Sequence, residues 1–191
     1  MTKYLYLMRH GETLFNVQHK IQGWSDSPLT ARGVAQAKIA GQYLQDAGVV
    51  FDHAYSSTAE RASDTLELVT KGKLPYQRVK GLREWGFGVY EGQDESLNPA
   101  LPYGDFFHQF GGETETEVEQ RIYSTILGLM PAIEHAGLVV SHGGACANFL
   151  RRALDHDGHY GITNCTIFKL AYTAGQFELL ETIHPDFSSL D

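Results

Sequence analysis

Apolar residues along this chain fall into two alternating patterns: short unbroken runs, and longer stretches with helical spacing. Tyr4-Leu5-Tyr6-Leu7-Met8 is the first run, aromatic and leucine-rich, and predicts a buried strand near the N-terminus. A polar loop follows, then a helix from about Thr30 to Gln45 with Val34, Ala37, Gly41 and Leu44 as its buried stripe. A strand near His53 to Ser56 leads into a second helix, with Thr58 as N-cap and Ala62, Thr65, Leu66 and Val69 as its apolar face. Another short strand is expected near Gln77 to Lys80. Thr114 and Glu117 form a capping box for a long helix that turns Val118, Ile122, Ile126, Leu129 and Ile133 inward, kinked or restarted at Pro131. Leu138-Val139-Val140, a helix from about Gly144 to Leu154, and strands near 165–172 and 176–183 complete the pattern. Thr173-Ala174-Gly175 makes the last two strands a hairpin. Alternation of this kind predicts an α/β fold, a three-layer α/β/α sandwich around a mostly parallel mixed sheet.

Open α/β sheets bind ligands at the carboxyl ends of their strands. Arg9-His10-Gly11 stands at such an end, and Ser141-His142-Gly143-Gly144 at another. The other histidines with no such setting, among them His19, His53, His108, His135 and His184, read as ordinary polar residues. Arg61 falls in the first turn of its helix, where a cation opposes the helix dipole. An anion bound in front of that turn would offset the penalty. On the dipole argument alone, removing Arg61 should leave stability unchanged or slightly higher. Glu84 follows the strand near Gln77 and precedes a glycine-rich stretch. Asp155-His156-Asp157-Gly158-His159 matches no familiar zinc or calcium spacing and reads as a polar loop.

The chain has 191 residues, a size for one domain with a sizeable core. Its net charge of −8 argues against nucleic acid as a partner. No stretch approaches the roughly 20 apolar residues of a membrane helix, and no signal peptide is expected before the first strand. With only Cys146 and Cys165, no disulfide framework is expected, and a reducing cytoplasm fits.

The ordered motifs resemble those of the histidine phosphatase, or phosphoglycerate-mutase-like, superfamily. The resemblance rests on Arg9-His10-Gly11-Glu12-Thr13 with Asn16, and on Gly23-Trp24 with Asp26, Pro28, Leu29 and Thr30. It continues through Ser56-Ser57 with Arg61-Ala62, and Leu82 and Glu84 with Gly86, Gly88, Glu91 and Gly92. Ser141-His142-Gly143 and Asn164-Cys165-Thr166 complete it, so that nearly the whole chain is covered. The resemblance implies that His10 attacks phosphorus to give a phosphohistidine, its other ring nitrogen held by a backbone carbonyl. Arg9, Arg61 and His142 would hold the non-bridging oxygens, Asn16 would add a neutral donor, and Glu84 would protonate the leaving group. No metal or other cofactor is expected.

Between Glu84 and Leu150 the only lysine or arginine is Arg121, while acids are frequent. The family's mutases carry a longer insertion there with extra basic residues, which grip a second anionic end of the substrate. The insertion at about 93–112 is short, broken by Pro99 and Pro102, and aromatic. Hydrolysis of a small-molecule phosphomonoester is therefore expected rather than mutase chemistry or phospho-ligand binding without catalysis. Gly23, Trp24 and Tyr103 are expected against the substrate. Tyr103, Phe106, Phe107 and Phe110 either wall the pocket, favouring a partly apolar leaving group, or pack the insertion onto the domain. The only macromolecular partner expected is a second copy of the chain, as a homodimer.

Overall fold

The computed structural model describes residues 1–155 and 160–190. Its strands are β1 (Lys3–Arg9), β2 (His53–Ser57), β3 (Gln77–Val79), β4 (Ala136–Ser141), β5 (Ile167–Thr173) and β6 (Gln176–Ile183). They form one six-stranded sheet in the order β3-β2-β4-β1-β5-β6. The first four pair in parallel, and β5 and β6 are added antiparallel beside β1. The helices are α1 (Leu14–Val17), α2 (Ala31–Asp46), α3 (Glu60–Thr70), α4 (Glu115–Leu129) and α5 (Gly143–Leu154).

The period of two along β1 builds the layers. Leu5 and Leu7 belong to a core that includes Ile122, Ile126, Phe149 and Leu150 of α4 and α5. Tyr6 and Met8 belong to the opposite core, with Ala37, Leu44, Leu66 and Val69 of α2 and α3. Each such large side chain stabilises the fold by about 1.5–3 kcal/mol relative to leaving it in water. The result is the expected α/β/α sandwich. Among the described residues no helix is long and apolar enough to cross a membrane.

Local departures from the expected elements have physical causes. The polar loop after β1 contains α1, closed by a capping box between Thr13 and Asn16. The N-cap of α3 is Ala59, not Thr58, and it makes no side-chain cap; Asp26 supplies one from another segment, as described below. Val34 is only half-buried, and α2 instead buries Gly33, Gln36, Ala37, Ala40, Gly41 and Leu44. Its first turn lies backbone to backbone on the segment after β1: a Cβ on Gly11 would come within 2.6 Å of the Gly33 carbonyl oxygen. Pro131 neither kinks nor restarts α4, which ends at Leu129; Leu129 is half-buried, whereas Ile133, beyond the helix, is fully buried. Ala174 and Gly175, both at positive φ, turn β5 into β6 as the expected hairpin. Of the polar loop after α5, Asp155 is its left-handed C-cap, and His156–His159 lie outside the described residues.

Register brings the two strand-end histidines together. Arg9 of β1 lies opposite Ser141 of β4, and the His10 N–H donates to the Ser141 carbonyl at 3.1 Å. His10 and His142, far apart in sequence, are thus neighbours at the carboxyl edge of the sheet, with ring centroids 5.2 Å apart.

Candidate active site

His10 is 4% exposed. Its Nδ1 lies 2.8 Å from the Gly11 carbonyl oxygen, which can only accept, so Nδ1 carries the proton and Nε2 the free electron pair. Arg61 donates from Nε to that Nε2 at 3.3 Å. His142 starts α5, its Nε2 2.8 Å from the Ser57 hydroxyl. Ser57 Oγ already accepts from the Ala59 N–H. A hydroxyl hydrogen turned toward Nε2 would put the second imidazole's proton on Nδ1, a buried atom with no protein partner among the described residues.

Burial, and then the charges of Arg61 and Arg9, push the His10 pKa well below the usual histidine value. Burial, Arg61, His10 and Arg9 do the same to His142. Unfolded histidines bind protons below about pH 6.5, whereas these two stay neutral in the fold. The unfolded state then holds more protons, so stability is full above that pH and falls as acid is added. Each imidazole should contribute a loss of about 1.4 kcal/mol per pH unit. Denaturant midpoints measured from pH 7.5 to 5 should fall less steeply in His142→Gln than in the wild type; equal slopes would remove this source of acid sensitivity.

Arg61 is fully buried. Its Nη1 donates to the Ser25 carbonyl at 2.8 Å and to Asp26 Oδ1 at 2.9 Å, and its Nη2 to the Gly23 carbonyl at 2.9 Å. The other Asp26 oxygen accepts the Glu60 N–H, 2.5 Å away, in the first turn of α3. A carboxylate from a distant loop therefore both caps the helix and balances the arginine. The structure gives the opposite expectation to the dipole argument: removing Arg61 leaves Asp26 without its cation, though with the Ser27 and Glu60 N–H groups, and two carbonyl oxygens without a donor.

Glu84 lies 7% exposed against the start of α5. Oε1 accepts from the Trp85 and Ala145 N–H groups at 2.9 and 2.7 Å, and Oε2 from Gly144 at 2.9 Å. A Cβ on Gly144 would come within 2.7 Å of Oε1, so this approach requires glycine. The segment before Glu84 is pinned through its carbonyls. Arg121 donates to those of Gly81, Arg83 and Glu84, and is itself held by both Glu113 oxygens at 2.7 Å. The single base of the 84–150 span is thus a brace and not a substrate ligand.

Arg9 donates from Nη1 to the Ile162 carbonyl at 3.0 Å, leaving Nε buried and unpartnered among the described residues. Asn16 accepts through Oδ1 from the Thr13 N–H and from Asn164 Nδ2, which leaves its own amide N–H groups for a ligand.

A cavity of about 590 Å³ opens over Arg9, His10, Asn16 and Glu84. Ile21, Trp85, Phe87, Leu101, Pro102 and Tyr103 give it apolar walls. Arg61 and His142 lie buried behind His10 and do not line it. Gly23 and Trp24, expected against the substrate, do not line it either. Gly23 holds Arg61 through its carbonyl, and Trp24 donates from Nε1 to the Glu84 carbonyl at 3.0 Å beneath the Arg83 guanidinium. The aromatic insertion does both things considered for it. Tyr103 walls the cavity, while Phe107 is fully buried with Trp85 and Val118 in a small core of its own. Lys20, Glu95, Arg151 and Glu115 supply the outer charges of the cavity, and Arg151 pairs with Glu115. A larger groove of about 800 Å³, walled by Leu29, Val34 and Leu68 among others, contains none of these strand-end residues. Among the described residues, no group of three or more histidines, cysteines or acids is placed to hold a metal ion.

The chain is similar to known proteins over most of its length. In sequence the chain is 32% identical, over 88% of its length and 84% of the relative's, to "Probable phosphoglycerate mutase GpmB" of Proteus mirabilis (strain HI4320). Against two curated 2,3-bisphosphoglycerate-dependent mutases the alignment spans only 43% and 46% of their length. In structure it resembles phosphoglycerate mutase from Bacillus anthracis str. Sterne, with a TM-score of 0.84 and 27% identity over 95% of this chain and 92% of that one. It also resembles the alpha-ribazole phosphatase from Shigella flexneri, with a TM-score of 0.81 and 27% identity over 95% and 96% of the two chains. Residues 5–183 match the histidine phosphatase superfamily (branch 1), and the chain belongs to that family.

Proposed function

We propose that this protein is a metal-independent phosphomonoesterase that works through a phosphohistidine on a small phosphorylated metabolite. The observation that carries the reading is the state of His10: an unprotonated Nε2, aimed by the Gly11 carbonyl and lying among Arg61, Arg9 and His142. Phosphoryl transfer asks for positioning and charge stabilisation, and a guanidinium and imidazole clamp supplies both. In this reading the phosphate oxygens take over the Arg61 Nε–H that now rests on Nε2, which frees the electron pair for attack. The N–P bond forms as the bond from phosphorus to the ester oxygen breaks, and Glu84, in its acid form, passes a proton to that oxygen. Water then attacks phosphorus, gives its proton back to Glu84, and the N–P bond breaks to release phosphate. Oε1 accepts two backbone N–H groups but Oε2 only one, from Gly144, which leaves its second lone pair to carry the proton that is delivered.

The outer cavity favours a single phosphate. Lys20 and Arg151 are matched by Glu95 and Glu115, which leaves no surplus of positive charge for a second phosphoryl group. Its apolar walls favour a partly apolar leaving group, and the buried Asn98 Oδ1, unpartnered among the described residues, favours one that also carries a hydroxyl or amino donor. Two buried free thiols fit a reducing compartment such as the cytoplasm.

The test is hydrolysis of p-nitrophenyl phosphate and of a phosphometabolite panel, with and without chelator. Turnover should survive chelation, and protein quenched with detergent at alkaline pH should carry label from the substrate phosphate that acid removes. The mutase reading, favoured by the names of the relatives, would be upheld by interconversion of phosphoglycerates with a bisphosphate primer exceeding hydrolysis. Absence of any turnover would leave a phosphate-binding module.

A further inference from the structure

Glu91 does not line the cavity, yet its carboxylate collects an unusual number of donors. Oε2 accepts from the N–H groups of Gly23 at 3.1 Å and Ser25 at 2.9 Å, and from the Ser25 hydroxyl at 2.6 Å. Oε1 accepts from the N–H groups of Trp24 at 2.7 Å and Phe87 at 3.1 Å. The same 23–25 loop turns its Gly23 and Ser25 carbonyls to the Arg61 guanidinium. The Gly23–Trp24 peptide is therefore sandwiched, its N–H toward an anion and its C=O toward a cation, an orientation in which each bond polarises the other. Gly23 is needed for the approach, since a Cβ there would collide with Glu91 Oε1 and the Trp85 carbonyl. Glu91 is anchored in turn: its N–H bonds the Gly88 carbonyl, and the neighbouring Gly92 N–H bonds Ile21.

We propose that Glu91 is the positioning residue for Arg61, acting through the 23–25 loop to hold the guanidinium on His10. The proposal rests on the phosphohistidine reading of His10. Glutamine at position 91 keeps one acceptor oxygen and sets an amide NH₂ against at least two backbone N–H donors, so the loop loses its frame and Arg61 its fixed acceptors.

Because Arg61 is one of the charges that keep His10 neutral, letting it drift has a signature that simple loss of fold lacks. The groups facing His10 are Arg61, Arg9, His142 and the Gly11 carbonyl. Only the first is held by the Glu91 loop. Glu91→Gln should lower kcat/KM about tenfold or more, weaken inhibition by inorganic phosphate by a similar factor, and move the acidic limb of the kcat/KM profile to higher pH. Ser25→Ala, which deletes only the hydroxyl bond, should shift the same quantities in the same direction by less, and keeps the test usable should Glu91→Gln fold poorly. An NMR titration of the His10 ring in free wild-type and variant protein reads the displacement without turnover, so it stands even if the wild type hydrolyses nothing. A His10 titration and acidic limb unmoved in both variants would overturn the proposal, whether activity is kept or lost.

Discussion

Replacing His10 by alanine is expected to abolish turnover, by about four orders of magnitude or more, while leaving a folded protein. No other side chain at the strand ends offers an unprotonated nitrogen aimed from a fixed backbone anchor. The cost to stability is small because the bond lost at Nδ1 runs to the adjacent residue's carbonyl and braces no distant element. A cavity of imidazole size and a loose Arg61 Nε should cost about 1–2 kcal/mol. Wild-type protein incubated with radiolabelled substrate should acquire acid-labile label, and His10→Ala should acquire none. Label or turnover retained in the variant would remove the covalent mechanism.

Arg61→Ala is expected to fail in two ways at once. The loss of a buried charged donor from the phosphate clamp should lower kcat/KM by at least a hundredfold, about 2.7 kcal/mol of transition-state stabilisation. Unlike His10, this residue is also a structural hub. Without it, Asp26 loses its partner, the Gly23 and Ser25 carbonyls lose their donor, and a side chain with no exposure leaves a hole. The expected destabilisation is about 3 kcal/mol. Arg61→Lys should recover part of the stability but little of the rate, since an ammonium cannot reach Asp26, two carbonyls and His10 from one planar group. Kinetics and chemical denaturation of both variants check this. Full stability in Arg61→Ala would mean that the buried network contributes nothing net.

These two residues also mark how far the sequence could be read. The strand ends were legible because β1 and β4 are apolar runs that stop at a histidine and a glycine, and the hairpin because a small-residue turn separates two strand-like runs. His10 and His142 came with that pattern, and Glu84 with the family resemblance. The burial of Arg61 did not. Its acceptors are two backbone carbonyls in an irregular loop, which carry no side-chain signal, and an aspartate from a segment that precedes it by a whole helix and a strand. The misread cap at Thr58 has the same origin, since Asp26 caps α3 from outside the helix's own sequence. Arg121 read as a lone base in an acidic span because the carbonyls it braces belong to another stretch of chain. Trp24 and Gly23 belong to the site by motif, yet act from behind it. Long-range bonds to the main chain are invisible to periodicity.

The β1–β4 register has a consequence for how such an enzyme can change. His10 and His142 are juxtaposed by strand pairing alone, and no loop length enters their spacing. The 93–112 segment, by contrast, is seated by side-chain packing, Phe107 against Trp85 and Val118. In the proposed reading, chemistry rests on the strand ends and selectivity on the segment that walls the cavity. In that reading a change in the 93–112 segment leaves the pairing that sets His10 beside His142 untouched, so substrate preference can evolve without re-inventing the reaction.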